Sequence, residues 1–103
     1  MGNLCTNIIM IKTSNKKALQ DIQSYIFETF VDSCIDAHSK DTVSMTFYSN
    51  WECPKQDLLE MTWAINPPDL KMQIYSFEPT NWYSEVTTYE NNKFETVYES
   101  KSN

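Results

Sequence analysis

Gly2 is the only glycine in this 103-residue chain, and that scarcity restricts the fold more than any other feature. Glycine is the usual residue where a backbone must take positive φ. Without it, turns fall to Asn, Asp, Ser and Pro. Phosphate-cradling loops of the dinucleotide or P-loop kind need several glycines and are excluded. The breaks in the chain are therefore Thr13-Ser14-Asn15, His38-Ser39-Lys40-Asp41, Asn66-Pro67-Pro68 and Asn91-Asn92.

The segments between these breaks have distinct periods. Residues 3–12 read as a strand, and the unbroken apolar run Ile8 to Ile11 suits a central strand covered on both faces. Ala18, Leu19, Ile22, Tyr25, Ile26 and Phe30 recur at helical spacing, which predicts an amphipathic helix of about four turns capped by the 13–15 cluster. Residues 31–37 alternate weakly. Residues 42–49 alternate clearly, with Val43, Met45 and Phe47 against Ser44, Thr46 and Tyr48, and the two segments predict a hairpin. Pro54 suits the first turn of a second helix, with Leu58, Leu59, Met61, Trp63 and Ile65 on its apolar side and Asn66-Pro67-Pro68 as its stop. Leu70, Met72 and Ile74 then alternate with Lys71, Gln73 and Tyr75. Residues 82–90 and 93–99 form a last hairpin, in which Asn91-Asn92 supplies the positive φ that glycine usually supplies. The tail from Ser100 is expected to fray. The order β-α-β-β-α-β plus a hairpin predicts an α+β, ferredoxin-like domain over residues 1–103. Its antiparallel sheet carries two helices on one face, with a C-terminal hairpin at 81–99.

Composition narrows the function. At 41% hydrophobic and 14% aromatic, the chain is globular rather than disordered. A net charge of −6 and a pI near 4.6 argue against long nucleic acids, and the acids are too scattered to mimic a duplex. Cys5, Cys34 and Cys53 form no CxxC pair and leave an odd thiol, which points to a reducing cytoplasm. No signal sequence or apolar span of membrane length is expected. Gly2 and Thr6 alone meet too little of the myristoylation pattern.

Catalytic sets are hard to assemble. The only histidine, His38, sits in a polar turn. The strand and turn that carry Cys34, Asp36, His38 and Asp41 would scatter them, where a zinc site needs convergent ligands. Asp36, Glu52 and Glu78 fall near strand ends, but nothing in the sequence pairs them. The reading is therefore not an enzyme, with no metal and no cofactor. The aromatics are the better candidates. Trp51 follows one strand and Trp82-Tyr83 precedes another, while Tyr48 and Tyr75 should lie on the sheet face away from the helices. Such groups stack on a base or anchor a protein; alternatively the last hairpin folds over that face and buries them.

Three segments carry a family resemblance. Asn3-Leu4-Cys5-Thr6-Asn7 is similar to an Asn-Trp-Cys-x-Asn opening. Cys34-Ile35-Asp36-Ala37 and Phe47-Tyr48-Ser49-Asn50-Trp51-Glu52-Cys53-Pro54 are similar to Lys-Trp-Asp-Ala and Phe-x-Thr-Ala-Trp-x-x-Pro. Residues 78–99 are similar to a Glu-Pro-x-x-x-Phe hairpin with a Tyr-Glu-Asn turn. In this the chain resembles the YubB-like ferredoxin-like family of small phage and plasmid proteins. It departs from that pattern at Leu4 and Ile35, where the family has tryptophan, and at Thr80-Asn81, where it has glycines. The resemblance implies the fold and a mobile-element setting, but no reaction.

Together these readings predict a cytoplasmic, non-enzymatic phage or mobile-element accessory protein, monomeric or homodimeric. It would bind a host protein, such as a defence component, through Trp51, Trp82, Tyr83, Tyr48, Tyr75, Glu78 and Asp36. The alternative is a protein that sequesters a small nucleotide between stacked aromatics, with Lys55 as the nearest cation.

Overall fold

The computed structural model describes residues 4–30 and 32–101. Gly2, Asn3, Val31 and the last two residues of the expected frayed tail lie outside the described residues. The elements run β1 (Leu4–Lys12), α1 (Lys16–Thr29), β2 (Cys34–His38), β3 (Thr42–Asn50), α2 (Lys55–Ala64), β4 (Lys71–Glu78), a short 3₁₀ turn (Pro79–Asn81), β5 (Tyr83–Glu90) and β6 (Lys93–Ser100). Six antiparallel strands form one sheet in the order β2-β3-β1-β4-β5-β6. The chain is thus α+β, and β1 is the inner strand that its apolar run implied. Among the described residues, no helix is long and apolar enough to cross a membrane.

Both helices cover the same face. Leu19, Ile22 and Ile26 of α1 and Leu58 and Met61 of α2 join Ile9, Ile11, Val43, Met45, Phe47, Met72 and Ile74 in one buried cluster. The Asn15 side chain caps α1 by accepting from the Ala18 N–H at 3.0 Å. Pro54 precedes α2 as its cap residue. The stripe of α2 that turns inward is Leu58, Met61 and Thr62, with Ile65 half-buried, so Trp63 is a correction. It lies off that i, i+3, i+4, i+7 stripe and is 70% exposed.

Of the two arrangements open to the last hairpin, the structure takes the extended one. The hairpin does not fold over the open face. β5 pairs with β4 from Met72↔Tyr89 to Glu78↔Tyr83, and β6 continues the sheet outward from β5. Asn91 and Asn92 take φ of 54° and 66°, as the two-residue turn requires. Tyr89 and Phe94 pack across the hairpin as tilted rings with centroids 4.6 Å apart. The face away from the helices therefore stays uncovered. The two edges are blunted differently. β2 is short, wholly exposed and bulged between Ile35 and Ala37, whereas β6 carries Lys93, Glu95 and Glu99 and is itself irregular opposite Val86 and Thr87.

Candidate functional site

One rim of the sheet gathers the ends of β3 and β4 and the starts of β1 and β5. Two exposed tryptophans stand on it, Trp51 (54% exposed) and Trp82 (79%). Each directly follows or precedes a strand, and their columns in the sheet are three strand spacings apart, about 14 Å.

Their backbones are unusual. Five described residues take positive φ: Asp32, Asn91, Asn92, Trp51 at 71° and Trp82 at 52°. Asp and Asn tolerate that region, but a bulky side chain there is a true outlier. At Trp51 the Glu52 N–H donates to the Asn50 carbonyl at 2.8 Å. A bond across one residue at positive φ closes the rarer, strained form of γ-turn. The Ser49 hydroxyl steadies it by donating to the Glu52 carbonyl at 2.8 Å.

At Trp82 the work is done by Glu78. Its carboxylate accepts from the Thr80 hydroxyl at 2.7 and 2.6 Å, the Thr80 N–H at 3.2 Å and the Asn81 N–H at 2.8 Å. These donors, Thr80 foremost, hold the Glu78 carboxyl below its usual range. The Trp82 N–H closes the turn on the Pro79 carbonyl at 3.1 Å. Glu78 therefore positions a tryptophan and faces inward itself.

Tyr83 also points inward, at 4% exposed. Its hydroxyl accepts from the Cys53 N–H at 3.0 Å and donates to Glu85 Oε1 at 2.5 Å. Glu85, 2% exposed, further accepts from the Thr96 hydroxyl at 3.0 Å and the Thr87 hydroxyl at 3.2 Å, and forms an ion pair with Lys55. Burial opposes the charge on Glu85. The donors Lys55, Tyr83 and Thr96 more than offset it, so its carboxyl titrates below the usual range. Burial, reinforced by Glu85, drives the Tyr83 phenol up.

A second buried knot lies beside it. The Asn7 amide donates to Ser49 Oγ at 2.9 Å and accepts from the Ser76 hydroxyl at 2.7 Å. Burial pushes the Cys5 thiol up to about 11 and raises Cys53 as well, so both stay protonated and unreactive. Among the described residues, no buried side-chain donor or acceptor is unpaired. This interior is closed, with every partner internal.

The remaining expected residues sit elsewhere. Tyr48 lines a recess of about 360 Å³ with Leu4, Phe30, Asp32 and Asp57, next to the rim. Tyr75 lies on the open face against Phe77, their centroids 5.9 Å apart, in a shallow groove with Ile8, Met10, Val86 and Tyr98. Asp36 accepts from the Thr46 hydroxyl at 2.5 Å on β2 and does not reach the rim. The rim thus unites Trp51, Trp82, Glu78 and Tyr83, with Tyr48 adjoining. It leaves out Tyr75 and Asp36.

The Glu85–Lys55–Thr96 knot was missed by sequence reasoning. Alternation does group Tyr83, Glu85, Thr87 and Tyr89, but it equally groups Ser84, Val86 and Thr88. Only the aromatics at each end of the first set hinted at which face is covered. Comparison with known proteins adds no further guide: no family model matches the chain, and no curated protein or solved structure matches it significantly.

Proposed function

We propose that this chain is a non-enzymatic binding protein that captures a protein partner on the tryptophan rim. One observation carries the reading: two large, exposed side chains are held at positive φ, where smaller residues would cost less. Strain of this kind is of order 1–3 kcal/mol per residue and persists where the surroundings enforce it, typically at functional positions. Here Glu78 and Ser49 enforce it. Tryptophan is also among the residues most enriched at binding hot spots, and pre-set anchors lose little freedom on docking.

The order β2-β3-β1-β4 of the first four strands supports a ferredoxin-like core, with β5 and β6 added at one edge. That core is what the resemblance to the YubB-like family implies. In the mobile-element setting of that family the partner is a host protein in the cytoplasm, such as a defence component. The nucleotide alternative draws less support. Lys55, its nearest cation, is engaged by Glu85 and Thr96, and all eight basic residues are lysine, so no guanidinium fork exists for a phosphate.

The test is co-purification from host lysate with wild type, Trp51→Ala and Trp82→Ala at equal loading. The expected result is one partner retained by wild type and reduced at least tenfold by each variant, with circular dichroism unchanged. Equal retention by folded variants would sink the proposal.

A further inference from the structure

The opposite end of the sheet carries a different feature. There the open face forms a hollow of about 540 Å³. That volume lies within the range of small-ligand sites. Its floor is Met10, Ala37, Ser44, Gln73 and Thr88, neighbours across β1 to β5 in one row of the register. Met10 is 49% exposed, an unbranched thioether left open to solvent.

The mouth of the hollow is set by charge. Lys12 and Lys71 are direct cross-strand partners on β1 and β4, and both line the cavity. Like charges placed opposite each other destabilise a sheet. Glu90, also in the lining, lies 3.5 Å from Lys71 and answers one of the two. Among the described residues Lys12 has no ion pair. A surplus cation thus stands over a hollow whose exposed surface is mostly apolar although Ser44, Gln73 and Thr88 contribute to it, in a chain whose net charge is −6.

We infer that this hollow is a ligand site for a small amphipathic anion, an apolar chain bearing one carboxylate of the medium-chain fatty-acid class. The chain lies along Met10 and Ala37, and the carboxylate accepts from Lys12 and relieves its repulsion with Lys71. The site is independent of the tryptophan rim, since Lys12 and Leu4 stand at opposite ends of β1, about 26 Å apart.

The experiment titrates full-length protein with sodium decanoate below its micelle concentration, and separately with 1-decanol, followed by amide chemical shifts and calorimetry. Decanoate should saturate and shift the amides of Met10, Ala37, Gln73 and Thr88, leaving those of Trp51 and Trp82 still. Lys12→Met, an exposed substitution with little bearing on folding, should weaken decanoate about tenfold, or 1.4 kcal/mol, and leave decanol unchanged. Non-saturating shifts, shifts centred away from the hollow, or equal decanoate binding by Lys12→Met would each overturn the inference. So would a Leu-Glu-Leu peptide that saturates the hollow where decanoate does not, since the occupant would then be a protein segment.

Discussion

The helix-covered face of the sheet has two halves built on different chemistry. In one row Ile9, Met45 and Ile74 lie side by side under the helices. One row nearer the tryptophan rim the same strands present Phe47, Asn7 and Ser76, with Glu85 next in line on β5. Apolar packing supplies the larger share of stability, but it tolerates small slides. Hydrogen bonds buried at low dielectric tolerate none, because each unpaired group is costly. The aliphatic half holds the domain together, and the polar half fixes where the rim turns stand.

The strongest challenge to this division is Ile9→Ala. Ile9 is fully buried at the centre of the aliphatic row, between Met45 and Ile74. Its truncation should cost about 2–5 kcal/mol, read as a lower urea midpoint at constant slope. A loss below 1 kcal/mol would mean that the aliphatic half is not the source of stability.

Glu85→Gln tests the polar half at smaller scale, with an expected loss of about 2 kcal/mol at neutral pH from hydrogen bonds to a charged group. The pH dependence sharpens it. The Glu85 carboxyl is depressed in the folded state, so its contribution is complete above the unfolded value of about 4.3 and fades as pH falls through the lower folded value. Asp69 and Glu78 are depressed too, but they are common to both proteins. The gap between wild type and Glu85→Gln should therefore narrow steadily below about pH 4.3. A gap that stays constant would remove the charge from the account.

Trp82→Gly should do least to stability. The side chain is mostly exposed, and glycine accepts φ of 52° freely. Relief of about 1–2 kcal/mol against about 0.5–1 kcal/mol of added chain entropy leaves the variant between equal to wild type and about 1.5 kcal/mol more stable. Partner capture should be lost all the same. A clearly destabilised Trp82→Gly would show that the tryptophan serves the fold.

Local chemistry was legible in the sequence where period and capping decide it. The α1 stripe, the Asn15 cap, the alternation of β3 and the Asn91-Asn92 turn are all settled by neighbours a few residues away. Trp63 could have been placed from spacing as well, had the stripe through Leu58, Met61 and Thr62 outweighed its hydrophobicity. What could not be read were choices made between distant segments. Whether β5 and β6 lie on the sheet or extend it depends on β4. Which face of β5 is covered depends on Lys55 and Cys53. The rule that Asn, Asp, Ser or Pro must replace glycine fitted three of the five positive-φ positions and missed both tryptophans, because strain held by Glu78 and Ser49 leaves no compositional trace.

The position of β1 also bears on how the chain assembles. Its neighbours are remote: Ile9 meets Met45 thirty-six residues on and Ile74 sixty-five residues on. The β2–β3 and β5–β6 pairs, by contrast, close over short turns within microseconds. Closure entropy grows with the loop bridged, so the middle of the sheet is the slow step and its margins are the quick ones. A nascent chain that stops before Lys71 leaves β1 with a bare flank, an unpaired apolar strand of the kind that aggregates. β1 thus precedes the other described strands, yet both its flanks are covered only once β4 is in place.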